Sequence, residues 1–137
     1  MRLILDSHIL LAISLERLPR ISATIAWAIA RPETFAFAST ASLWEIAIKT
    51  RLGKLDPGVP LESLPPFYEA LGIEILPITA AHALTAVDPV PPTRDPFDRM
   101  LLAQCAVEDC RLATLDHPLA ARLDASEATG RNPRNRR

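Results

Sequence analysis

Short apolar runs alternate with helical spacings along this chain, and each change from one period to the other marks an element. Leu3-Ile4-Leu5 is a compact apolar run closed by Asp6, which predicts a buried strand over residues 2–5 whose carboxyl end presents that carboxylate. The apolar segment from His8 to Leu15 then reads as a helix capped by Ser7 or Asp6. Ile21, Ile25, Ala28 and Ile29 recur at helical spacing until Arg31-Pro32 stops them, giving a second helix over 20–30. Phe35-Ala36-Phe37-Ala38 suits a second buried strand, with Ser39-Thr40 capping a helix over 41–52. In that helix Leu43, Ile46, Ala47 and Thr50 line one face, Trp44 and Ile48 an adjoining stripe, and Gly53 closes the pattern as a C-cap.

Beyond the turn-rich Asp56-Pro57-Gly58-Val59-Pro60, Leu61, Leu64, Phe67, Tyr68 and Leu71 give another helix despite Pro65-Pro66 near its start. Ile73-Glu74-Ile75-Leu76 reads as a third strand, residues 80–87 as a short helix, and 88–92 as a proline-dense loop. A helix from Pro96 to Asp109, a fourth strand over 111–115 ending at Asp116, and a last short helix over 118–123 complete the pattern. Strands separated by helices imply an α/β fold: a three-layer domain with a central parallel sheet of four strands, or five if the end supplies one, flanked by helices.

Length changes this picture little, because 137 residues fit one domain. Residues 1–124 are expected to form it and 125–137 an arginine-rich, solvated and disordered tail. A hydrophobic fraction of 49% and a charged fraction of 23% are those of a globular protein. No apolar stretch reaches the ~20 residues of a membrane span. The first apolar run is too short for a secretory signal, so no membrane association and a cytoplasmic location are expected. Cys105 and Cys110, read as lying in one helix, point away from each other and suit small apolar residues better than a disulfide. His8, His82 and His117 lack zinc-ligand spacing. Net charge is −1, yet the last seven residues hold four arginines and no acid, which leaves the first 130 at −5. A nucleic-acid partner would be held by local patches or by the tail.

The candidate chemistry lies in the acids. Asp6 and Asp116 each follow a strand, at the sheet edge where ligands gather in open parallel sheets. Asp98 falls in the first turn of its helix, and Glu45 near the start of another. Carboxylates held close repel one another unless a cation neutralises them, and Mg²⁺ or Mn²⁺ suits oxygen donors and phosphodiester hydrolysis. Each acid also has a structural reading. Asp6 suits a helix cap, Asp98 the helix macrodipole, Glu45 an ion pair with Lys49 four residues on, and Asp116 a turn. Asp95 before Pro96 reads as an N-cap rather than a ligand.

Five stretches carry a resemblance. They are Leu3-Ile4-Leu5-Asp6-Ser7-His8, residues 42–55 around Trp44-Glu45-Ile46, Ile75-Leu76-Pro77-Ile78-Thr79 with His82-Ala83, Arg94-Asp95-Pro96-Phe97-Asp98-Arg99, and Thr114-Leu115-Asp116. In this order the chain resembles the PIN-domain ribonucleases, specifically the VapC-like toxins of bacterial toxin–antitoxin pairs. The resemblance implies an endonuclease dependent on Mg²⁺ or Mn²⁺ that cuts single-stranded RNA, is inhibited by a small cognate antitoxin, and forms a homodimer. It implies a catalytic and metal-binding quartet of Asp6, Glu45, Asp98 and Asp116, with Asp6 and Asp98 the firmest ligands. Ser7 would hold a water, orient Asp6, or cap the helix.

Relatives commonly finish with an apolar fifth strand, and Asp124 to Arg137 offers none. Lys49 and Arg99 are candidates to position substrate phosphates, or are ordinary solvated charges. Aromatic residues make up only 5%, so extensive base stacking is not indicated. Two other classes compete: a PIN-like module that binds RNA or protein without cutting, and an aspartyl phosphatase. The phosphatase needs a second acid after Asp6, and Ser7-His8 supplies none.

Overall fold

The computed structural model describes residues 1–87 and 93–115. Its strands β1 (Arg2–Leu5), β2 (Phe35–Ser39), β3 (Ile73–Leu76) and β4 (Arg111–Ala113) form one parallel sheet in the order β3-β2-β1-β4. The expected α/β architecture is present, with four strands among the described residues. Alternate side chains leave the sheet on opposite faces and build two cores. Leu3, Leu5, Ala36, Ala38 and Ile73 face one side, against Ile9 and Leu10 of α1 (Ser7–Ser14), Ile46 of α4 (Thr40–Arg51), and Leu64 and Tyr68 of α5 (Leu64–Ala70). Ile4, Phe37 and Leu112 face the other, against Leu101, Leu102 and Cys105 of a helix spanning Pro96–Glu108. Burial on both faces is why β1 is a continuous apolar run rather than an alternating one.

Local chemistry moves several expected boundaries. The helix expected over 20–30 is two, α2 (Leu18–Ile21) and α3 (Ala23–Ala30), because Ser22 is extended and its hydroxyl accepts from the Ile25 N–H at 3.1 Å. The segment starting at Leu61 opens as a 3₁₀ turn and becomes α5 at Leu64, with its prolines in the first turn, where their missing N–H groups cost little. The helix expected over 80–87 is α6 (Ala80–Leu84). There the Thr85 hydroxyl donates to the Ala81 carbonyl at 2.6 Å, and the chain leaves in extended conformation. The helix at Pro96–Glu108, α7, ends at Asp109 in the left-handed conformation. Cys110 therefore follows the helix instead of sharing it with Cys105, and both thiols are free and buried. β4 is three residues long rather than five, since its neighbour β1 ends at Leu5. In α4 the buried positions are Ala41, Ser42, Glu45 and Ile46, while Trp44 faces solvent.

Gly53 (φ +72) closes α4 as expected: its N–H reaches the Thr50 carbonyl and that of Lys54 the Lys49 carbonyl, a Schellman pair. The expected helix over 118–123, the question of a fifth strand and the arginine-rich tail lie outside the described residues. The chain winds from β1 through β2 to β3, then returns to the far side of β1 as β4. Winding therefore reverses at β1, and a crevice opens beyond its carboxyl end.

Candidate active site

That crevice is a cleft of about 330 Å³ lined by Asp6, Ser7, His8, Glu45, Lys49, Asp95, Asp98 and Leu115. Three of the four acids picked out by the sequence line it, although 39 and 53 residues separate them in turn. Asp116 lies outside the described residues; Leu115, before it in sequence, lines the cleft.

Asp6 is fixed from two sides. Its N–H donates to the Ala113 carbonyl at 3.1 Å, extending the β1–β4 ladder by one bond, and its carboxylate caps α1 by accepting from the Ile9 N–H at 2.9 Å. The cap is therefore Asp6 and not Ser7. Burial pushes the Asp6 carboxyl above its ordinary range, offset in part by a hydrogen bond from Thr114, the Ile9 N–H and the His8 side chain. A desolvated carboxylate of this kind favours a cation or a proton beside it.

Glu45 comes from the second turn of α4, which Ser39 starts by accepting from the Ala41 N–H at 3.0 Å. Its carboxylate is buried and both oxygens are engaged: the Ser7 hydroxyl donates to Oε1, and Lys49 Nζ lies 2.8 Å from Oε2. Of the roles open to Ser7, neither capping nor orienting Asp6 is the one found: its hydroxyl orients Glu45. Lys49 makes the anticipated ion pair, but inside the cleft rather than on an open surface. Its pKa is raised by the Glu45 hydrogen bond first, then by the charges of Glu45, Asp95 and Asp98, against a lowering by burial.

Asp98 enters on α7. Asp95 is the N-cap, accepting from the Phe97 N–H at 2.8 Å with Pro96 at the first helical position, as their order in the sequence predicts. Asp95 also lines the cleft. Thr93 ties the entry together: its hydroxyl donates to Asp98 Oδ2 at 3.3 Å and accepts from the Asp95 N–H, while its carbonyl accepts from Arg99 Nε at 2.8 Å. Arg99 is exposed at this rim and is not among the residues lining the cleft.

Sequence reasoning missed His8, Thr93 and Thr114. No local spacing marked the threonines, since Thr93 donates to Asp98 five residues on and Thr114 bonds Asp6, which follows another strand. It also missed an edge-to-face contact between Trp44 and Phe97, with centroids 5.7 Å apart and planes at 72°. Both aromatics immediately precede a cleft acid.

Among the described residues, no three His, Cys, Asp or Glu side chains form a closed group that could hold a metal ion. The donors nevertheless fit a hard divalent cation. They are carboxylate and hydroxyl oxygens, they outnumber the cations beside them, and an ion such as Mg²⁺ uses one or two carboxylates and keeps its waters. Asp6 and Asp98 would hold it, with Glu45 nearby.

A family model described as the PIN domain matches residues 3–124. No curated protein matches the chain.

Proposed function

The chain belongs to the PIN-domain family, whose domains are in general metal-dependent nucleases, and from this premise we propose that it is a Mg²⁺- or Mn²⁺-dependent endoribonuclease acting on single-stranded RNA. The observation that supports this reading is the meeting of Asp6, Glu45 and Asp98, from three separate elements, on one cleft at the reversal of winding. The quartet comprises these three and Asp116. Asp6 and Asp98 are the direct ligands, and Glu45 and Asp116 complete the site directly or through water. When bound, the ion lowers the pKa of an attacking water and stabilises charge on the leaving oxygen.

The chain's own residues do the rest. Ser7 and Lys49 hold the Glu45 carboxylate in one rotamer, so that it needs no reorganisation when substrate arrives. Lys49, within the cleft, and Arg99, on its rim, receive phosphate oxygens. We further propose that the protein is the toxin of a toxin–antitoxin pair, cytoplasmic, homodimeric and restrained by a small antitoxin; the stretches 42–55 and 94–99 support this assignment. No helix among the described residues is long and apolar enough to cross a membrane.

Asp98→Asn removes one ligand charge and keeps its shape. Purified variant assayed on single-stranded RNA with Mn²⁺ is expected to lose at least about 100-fold in cleavage, with an unchanged circular dichroism spectrum. Wild-type rates from that variant would overturn the assignment. An inert wild type that still binds RNA would favour a PIN-like module that no longer cuts.

A further inference from the structure

We propose that Trp44, backed by Phe97, is a stacking platform for a nucleobase of the single-stranded RNA whose phosphate enters the cleft. This rests on the ribonuclease reading above.

The pair joins the two helices that carry Glu45 and Asp98. Trp44 is the residue before Glu45 on α4, and Phe97 the residue before Asp98 on α7. Their edge-to-face contact anchors the indole against a half-buried ring while 62% of Trp44 stays exposed. Folding does not account for that exposure, since neither ring belongs to either core. An aromatic side chain held by a neighbour loses little freedom when a base stacks on it, and stacking tolerates any base because each has a π-face.

Cations in the cleft and at its rim favour a phosphate-bearing strand over an apolar protein surface. Arg94 and Arg99 flank Phe97 in sequence and are exposed, and Lys49 stands one helical turn beyond Glu45 in the cleft. Cations on a rim beside an aromatic platform match a strand that runs its phosphates along the charges and turns its bases aside. The other tryptophan provides the contrast. Trp27 is equally exposed, but Arg31 covers its ring at 4.5 Å, and its helix α3 leads into the amino end of β2, away from the cleft.

The test compares steady-state cleavage of a single-stranded oligoribonucleotide with Mn²⁺ by wild type, Trp44→Leu, Trp44→Phe and Trp27→Leu. Trp44→Leu is expected to raise KM about tenfold with kcat changed less than about threefold, and Trp44→Phe to recover most of the loss, as stacking rather than bulk is at stake. Trp27→Leu leaves KM unchanged. Substrates made abasic at each position near the cut are expected to include one that raises KM for wild type and adds little for Trp44→Leu.

A wild-type KM for Trp44→Leu overturns the proposal. So does a Trp44→Leu defect that adds fully to every abasic loss, or one that accompanies a changed mass in sedimentation and disappears at high protein concentration; the last outcome makes Trp44 a protein contact. Wild type that cuts no RNA with either metal fails the ribonuclease reading and takes this proposal with it, whereas normal cutting with an indifferent Trp44→Leu fails this proposal alone.

Discussion

Burial keeps the Asp6 carboxyl above its ordinary value of 3.8, and this has a consequence for stability. Between that value and the raised one the folded chain binds more protons than the unfolded chain, so stability falls as pH rises through the window. Above it, the desolvated anion is a standing cost. Asp6→Asn removes the charge and keeps a side chain that can still cap α1. Metal-free Asp6→Asn should therefore melt above wild type at pH 7, with the gain shrinking as the pH approaches about 3.8. Added Mn²⁺ should raise the melting temperature of wild type and leave the variant almost unmoved. Parallel melting curves at all pH values would show that burial of Asp6 carries no such cost. At this scale the sequence identified Asp95 as the cap of α7, because Pro96 at the first helical position selects the residue before it. It could not tell whether the Ser7 hydroxyl serves Asp6 or Glu45, since that depends on the approach of a helix 38 residues away.

Elements meet through polar groups that the sequence left unassigned, and His82 is the chief example. It is buried on α6, where its Nδ1 accepts from the Thr79 N–H at 3.0 Å while the Thr79 hydroxyl accepts from the His82 N–H at 3.3 Å. This is a capping box with histidine in the place usually taken by Glu or Gln. With Nδ1 accepting, the proton lies on Nε2 and donates to Glu108 of α7 at 2.7 Å. One imidazole thus starts a five-residue helix and ties it to the helix that carries Asp98. His82→Ala should cost about 2–4 kcal/mol in urea unfolding, from the cavity and the lost hydrogen bonds together, and His82→Gln less, since it can keep the cap. Equal losses from the two would remove the capping role. Helix and strand identities were readable from periodicity, but their ends were not. Ser22 starts α3 and Thr85 closes α6 by side-chain hydrogen bonds that an apolar pattern does not register.

At the scale of the whole molecule, one reversal of winding makes the cleft, and charge is uneven along the sequence. The first 130 residues carry −5 and the last seven hold four arginines, so under the proposed function the body would engage RNA through local cations such as Lys49, Arg94 and Arg99 rather than through its net charge. We propose residues 1–124 as the nuclease domain. A chain ending at 124 is expected to cut RNA within about threefold of the full chain, with a similar slope of log affinity against log salt. A slope shallower by two or more units would show that the terminal arginines engage phosphates.

The sequence by itself determined the strand–helix alternation and the parallel sheet, and it picked out Asp6, Glu45 and Asp98, which line one cleft. Burial on both faces of β1 writes a continuous apolar run, and caps such as Asp6, Ser39 and Asp95 write short polar signatures, so both can be read locally. Only the tertiary structure decided which groups meet. It set the Thr114 hydroxyl on Asp6 and Ser7 on Glu45, turned Lys49 into the cleft, and joined Trp44 to Phe97 across two helices. Those contacts depend on the order β3-β2-β1-β4, which brings together segments far apart along the chain, and no period within one segment records the position of another.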